Sequence, residues 1–293
     1  MKVYGKNNII SYLAPLKKQK KYMLRKITLS ISLLAILSII SCKKEEESKP
    51  ITPPRDVTEV RDENDAAITN YLKTHFHTFK NNEVVLDTIA GANANQTSLM
   101  DLVKTIEIDA YDANNKKVRH KLYYLPVQEG TGMKSSIADS VYIAYRGQLL
   151  KGIEFDRSVG YTQSNWFDLL GDVTNPNAIN VIRGFRHSIA ELKDSASEIT
   201  VNVDGTIQTP TDGGVGVFFM PSRLAYFNTS KQSIPAYSPL MFTIHLIKTK
   251  RADHDRDGKP SLEEIQVDDY GIITYTNCDN DSHPDYLDAD TCK

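Results

Sequence analysis

Hydrophobic positions along the chain change their spacing several times, and each change predicts a different element. Between Ile27 and Ile40 fourteen residues run without a charge. That is too short for a hydrocarbon layer of ~30 Å but suits the apolar core of a secretory leader. Further on, Ile68, Tyr71, Leu72 and Phe76 fall at helical spacing, which predicts a helix from about Asn64 to Phe76 with Asp62 or Asn64 as its cap. Glu83 to Ile89 and Leu102 to Ala110 read as strands, separated by the small, polar stretch 91–98. From Lys121 onward the period is two. Leu122 to Gln128 is one strand, and Val141, Ile143 and Tyr145 alternate with Tyr142, Ala144 and Arg146 in another. Val215, Val217 and Phe219 alternate in a third strand, and Leu240, Phe242, Ile244 and Leu246 in the last. One helix interrupts them, Gly184 to Lys193, with Ile189 and Leu192 turned inward. Several strands with one helix segregated to one face define an α+β domain.

Composition narrows the function classes. The 293 residues are 40% hydrophobic, enough for an ordinary core, and the net charge of −2 excludes the basic balance of a nucleic-acid binder. The charges are segregated, however: residues 251–293 carry twelve Asp or Glu against four Lys or Arg. At the other end, the basic start Met23-Leu24-Arg25-Lys26 precedes the apolar run, and Ile39-Ile40-Ser41-Cys42 follows it. This resembles the lipobox of bacterial lipoproteins, which implies acylation of Cys42 and an address at the outer membrane or cell surface. Residues 1–22 then lie upstream of a true start at Met23. Lys43 to Ser48 is either a solvated tether or, by resemblance, an acidic export signal of Bacteroidetes-type surface lipoproteins. The expected plan is a leader (1–42), a Pro-bearing linker (43–60), an accessory segment (61–115), the α+β domain (116–250) and an acidic tail (251–293).

Four ordered blocks carry a sharper signal: Val141 to Ser158 with Phe155-Asp156, then Val181-Ile182-Arg183-Gly184-Phe185, then Met220 to Tyr226, then Ile234-Pro235 with Leu240 to Leu246. In that order they resemble FKBP-type peptidyl-prolyl isomerases, over about Leu122 to Lys250. The resemblance implies a curved antiparallel sheet wrapped around a short helix, with Tyr145, Phe155, Val181, Ile182 and Phe242 walling a pocket. Phe185 would stand where the family usually has a tryptophan floor. Trp166 or Phe167 would add a wall, depending on a one-residue alignment choice, Ile234 would close the rim, and Ala225 would be a substrate-binding residue. Tyr226 matches the tyrosine that donates to a substrate carbonyl, and Asp156 the carboxylate at the mouth. The loop Asp172 to Asn180 and the excursion Ser195 to Gly214, with a turn at 202–205, are longer than the family's usual connections. The activity implied is prolyl cis-trans isomerisation of exported polypeptides without a catalytic cofactor, in a family one branch of which serves gliding motility. The alternative is a chaperone or binding module of the same fold without turnover.

The tail has its own pattern. Asp253, Asp255, Asp257, Lys259, Ser261 and Glu264 occupy positions one, three, five, seven, nine and twelve of a calcium loop, with Gly258 at six. Asn277, Asp279, Asp281, Asp285 and Asp288 repeat the spacing, with Ser282 in the glycine position. With no good helix before the second copy, the pair looks less like EF-hands than like Asp-rich calcium repeats of extracellular proteins. The plainer reading is a solvated acidic tail. Cys278 and Cys292 flank the second copy, and in an exported chain such a pair is expected to be a disulfide.

Overall fold

The first helix begins earlier than its hydrophobic spacing suggests. In the computed structural model, which describes residues 53–158, 165–178 and 180–290, helix α1 runs Val57–Thr74. Its cap is Asp56, whose carboxylate accepts from the N–H groups of Thr58 and Glu59 at 2.8 and 2.9 Å. Val57, Val60, Asn64, Ile68 and Leu72 share its buried face. The charges between them hid the first two turns from a reading of hydrophobic spacing, and Asn64 is an interior residue, not a cap. The helix stops at Thr74, so Phe76 belongs to a strand, β1 (His75–Lys80). β1 pairs antiparallel with β2 (Glu83–Thr88) across Asn81-Asn82, both at positive φ as a tight hairpin turn requires. The leader, Cys42 and Cys292 lie outside the described residues.

The main sheet is antiparallel throughout. Its strands are β3 (Lys104–Tyr111), β4 (Lys117–Gln128), β5 (Ser140–Leu149), β6 (Glu154–Arg157), β7 (Asn165–Asp168), β10 (Val215–Met220) and β11 (Leu240–Lys250). They lie in the order β3-β4-β10-β11-β5-β6, with β7 also paired to β5. The excursion after Ser195 forms a separate small hairpin, β8 (Thr200–Val201) with β9 (Ile207–Gln208). Every residue of β10 is buried, and β11 is buried from Leu240 to Ile247.

Burial at every position requires cover on both faces. On one face Val141, Ile143, Phe218, Phe242 and Ile244 pack with Phe185 and Ile189 of helix α2 (Arg183–Ile189), which is shorter than expected. On the other, Val215, Val217, Phe219 and Met241 pack with Ile68 and Leu72 of α1 and Val84 of β2. The accessory segment is therefore the second cover of the sheet. Its expected limit at 115/116 falls inside the β3–β4 hairpin, whose pairing from Lys104↔Tyr124 to Tyr111↔Lys117 makes β3 part of the main sheet.

Residues 251–293 likewise do not form a free tail as far as they are described. They fold as the short pair β12 (Ile265–Val267) and β13 (Ile273–Tyr275) with three-residue and four-residue 3-10 turns. Ile265 and the fully buried Tyr286 share a core with Ala138 and Leu170. Lys117 pairs with Asp268 at 2.7 Å, and the Arg119 guanidinium lies over the Tyr270 ring. The Asp109 N–H donates to the Tyr270 carbonyl at 2.9 Å, and the Tyr286 hydroxyl to the Gly171 carbonyl at 3.0 Å.

Candidate functional site

A cleft of about 450 Å³ opens between α2, strands β5, β6, β7 and β11, and the segment after β10. Its floor follows from register. Phe242 of β11 lies opposite Gly147 of β5, and Ile244 opposite Tyr145, so Phe242 and Tyr145 emerge on the same face of the sheet. Gly147 is what lets the rings close. A Cβ there would stand 2.6 Å from the Phe155 ring and 2.9 Å from that of Phe242. Phe185, in the first turn of α2, meets Phe242 edge-on at 5.1 Å, Tyr145 at 5.6 Å and Phe167 at 6.1 Å. Gly184 permits that approach, since a Cβ there would be 2.5 Å from Met220 Sδ. Val181 and Ile182 complete the lining from the extended backbone before α2.

Both Trp166 and Phe167 line the cleft, and pairing with β5 gives them different positions. Phe167 faces Val141 and turns inward to Tyr145, edge-on at 5.8 Å. Trp166 faces Tyr142 on the other side and is exposed at the edge of the cleft. Ile234 is placed otherwise than the rim position expected of it. Ala225 packs partly buried against the core, and Ile234 is buried in it; neither lines the cleft. An apolar side chain with a core to enter does not stay on a rim.

Two tyrosines bring polar atoms to this apolar space. The Tyr145 hydroxyl donates to Asp156 Oδ2 at 2.7 Å. Burial, reinforced by that bond, pushes its hydroxyl far above the ordinary tyrosine value. Tyr226 is also raised, by burial first and by the charge of Asp156 second. Among the described residues the Tyr226 hydroxyl has no hydrogen-bond partner, and Lys231 Nζ lies 5.4 Å from its ring centroid. Tyr226 sits after the 3-10 turn Ser222–Leu224 and before Phe227, which holds φ +48°. The buried Asn64 of α1 braces this loop: its Oδ1 accepts from the Ser222 N–H at 2.7 Å and its Nδ2 donates to the Tyr237 carbonyl at 3.0 Å.

Asp168 and Asn180 also line the cleft, and neither was singled out in the sequence. Asp168 accepts from the N–H groups of Leu170 and Gly171 and contacts His254 Nε2 at 3.0 Å. Burial alone would raise its carboxyl; the His254 contact and the two backbone donors outweigh that and hold it low. The same contact raises His254.

The acidic loops differ from each other. Asp253, Asp255 and Asp257 bring carboxylate oxygens within 4.8 Å of one another. Glu264 is buried beside them, and burial, then the charges of Asp255 and Asp257, push its carboxyl up to about 7. Ser261 Oγ is committed to the N–H and Nδ1 of His254, at 3.1 and 2.7 Å. The Lys259 ammonium lies 3.8 Å from Glu264. In the second loop Asp279, Asp281 and Asp288 converge, but Asp285 turns away to accept from the Cys278 N–H, and Asn277 Nδ2 donates to the Asp281 carbonyl. Cys278 is disulfide-bonded, to a partner outside the described residues.

No protein-family model matches the chain. Curated relatives are FKBP-type peptidyl-prolyl cis-trans isomerases. FkpA of Aeromonas hydrophila is 26% identical over 175 residues, 59% of this chain and 55% of the relative. FkpA of Escherichia coli strain K12 is 27% identical over 147 residues, 50% and 44%. The chain spans about half the length of the curated relatives it matches. Similar solved structures include E. coli FkpA (23% identity, 48% of this chain and 51% of that one, TM-score 0.33). Another is a peptidyl-prolyl cis-trans isomerase of Pseudomonas syringae pv. tomato (18% identity, 68% and 99%, TM-score 0.39). At low identity, then, the chain is similar to the FKBP-type isomerases, and to the FkpA kind among them.

Proposed function

We propose that the protein is a peptidyl-prolyl cis-trans isomerase acting on proline-containing segments of exported polypeptides. The observation that carries this reading is the ring-lined cleft with a hydroxyl donor, that of Tyr226, which has no hydrogen-bond partner among the described residues. Rotation about a peptide bond crosses ~18–20 kcal/mol because the C–N bond has partial double-bond character. The twisted amide has lost that resonance and is less polar than the planar one. A dry aromatic cleft therefore favours it over the hydrated ground state, and every 1.4 kcal/mol or so of that difference is tenfold in rate. Phe185, Phe242 and Tyr145 would receive the proline ring. Tyr226 would donate to a carbonyl of the chain, and Asp156 would hold Tyr145 in place. The cleft's size is within the ~300–1,000 Å³ of ordinary ligand sites.

The address belongs to the same proposal. A basic start, a short apolar run and Cys42 support a lipid anchor at the outer membrane or cell surface, where unfolded envelope proteins would be the clients. A Cys42→Ser chain that still partitions with membranes would remove the anchor from the reading.

Exchange spectroscopy on prolyl peptides tests the activity. Tyr226→Phe removes one neutral hydrogen bond, ~0.5–1.5 kcal/mol, and should slow isomerisation about two- to tenfold. Phe185→Ala opens the floor and should abolish most turnover; Phe185→Leu keeps the volume closer to native and controls for folding. Binding of prolyl peptides without any acceleration would leave a binding module in place of an enzyme.

A further inference from the structure

The C-terminal module holds a cluster of chemistry that the cleft does not use. Asp253, Asp255 and Asp257 converge their carboxylate oxygens to within 4.8 Å. Asp253 Oδ1 and Asp255 Oδ2 are shielded from solvent and lack hydrogen-bond partners. Mutual repulsion among exposed acids usually spreads them apart, so the convergence alone decides little. Glu264 decides more. It is only 3% exposed, and neither of its carboxylate oxygens has a hydrogen-bond partner. The charges of the same three aspartates act on it, although its carboxylate is not part of their 4.8 Å group. Among the described residues the cation within ion-pair reach is Lys259, at 3.8 Å and half exposed. Four carboxylates against one ammonium leave a strong negative excess around a buried acid, which protein interiors avoid unless a cation completes the site.

The donor set selects the cation. All four groups are hard oxygen donors, and they sit at positions one, three, five and twelve around Gly258, whose φ of +96° makes the central turn. Calcium takes 6–8 oxygens at 2.3–2.6 Å in flexible geometry, whereas magnesium demands a tighter octahedron. We infer that Asp253, Asp255, Asp257 and Glu264 form a calcium site. The second loop is not part of this inference, because its three converging aspartates have no buried, unpartnered acid beside them.

Calorimetric titration of the chelator-stripped full chain with calcium chloride is the test, with thermal unfolding as the second readout. About one calcium per chain should bind, with a dissociation constant of ~10⁻⁴–10⁻³ M, and calcium should raise the unfolding temperature. Glu264→Gln should weaken binding at least about tenfold without lowering the calcium-free unfolding temperature, since the repulsion it removes from the three aspartates outweighs the attraction of the half-exposed Lys259. Asp257→Asn, at an exposed position, should repeat the loss of binding without touching the core. Asp279→Ala should bind as wild type does. A flat trace at about 10 mM calcium, wild-type binding by both Glu264→Gln and Asp257→Asn, or loss of all binding in Asp279→Ala would each overturn the assignment.

Discussion

Tyr145 and Tyr226 face the same cleft with different obligations. The Tyr145 hydroxyl is spent on Asp156, at 2.7 Å, so it shapes the wall; the Tyr226 hydroxyl has no hydrogen-bond partner among the described residues and is the donor proposed for a ligand. Both hydroxyls are raised above the ordinary value of 10, so at neutral pH each carries its proton. The sign is clear for an acid whose neutral form is the working one: raising it extends the working range upward. The ratio of wild-type to Tyr226→Phe turnover should therefore stay constant as pH rises to 10, and shrink only above it. Taking the ratio cancels other groups that titrate on the way, His254 among them. A ratio that already falls towards one below pH 10 would show the hydroxyl ionising early and remove it as the donor. Most of these residues were legible in the sequence, because rings and a carboxylate in four ordered blocks are specific together. The role of Gly147 as the space for two rings depends on β5–β11 register, which one sequence does not reveal. Ile234 was misplaced for a related reason, since the motif locates it near the rim and packing draws it into the core.

Among the elements, α1 was half legible and its purpose was not. Its spacing showed Ile68 and Leu72, but not that they cover the back of the sheet; the signal for a second cover was the near-continuous apolar runs Val215–Met220 and 240–247, which the period-two reading passed over. The same helix reaches the site through Asn64, whose two hydrogen bonds hold the loop bearing Tyr226. Asn64→Leu strands a buried N–H at Ser222 and a carbonyl at Tyr237, each costing about 1–3 kcal/mol. Denaturant unfolding should show that loss, and turnover should fall as well. Asn64→Asp, which keeps the acceptor for Ser222, should be milder in both. If the helix acts on catalysis through Tyr226, the turnover penalty of Asn64→Leu should shrink in a Tyr226→Phe background. Equal penalties in both backgrounds would reduce Asn64 to a residue of stability alone.

Across the whole molecule, the acidic cluster and the cleft are linked through the contact of His254 with Asp168. His254 lies between Asp253 and Asp255, and its ring is held from both sides: Nδ1 by Ser261 at 2.7 Å and Nε2 by Asp168 at 3.0 Å. Asp168 lines the cleft and follows Phe167, a wall residue, and Trp166, the chain's single tryptophan. A cation that fixes Asp253 and Asp255 would fix the backbone of His254 and, through it, the end of β7. The sequence displayed the calcium spacing and the wall residues separately; their adjacency comes from the docking of the C-terminal module on Ala138 and Leu170. Calcium should therefore change Trp166 emission, with the midpoint found by calorimetry. His254→Ala should abolish the emission change and leave calcium binding largely intact, since its ring is not a ligand. By linkage, any gain in prolyl-peptide affinity on adding calcium must be matched by an equal gain in calcium affinity on adding peptide. A calcium-dependent emission that survives His254→Ala would route the coupling elsewhere, and an emission blind to calcium would leave the site and the cleft as independent neighbours.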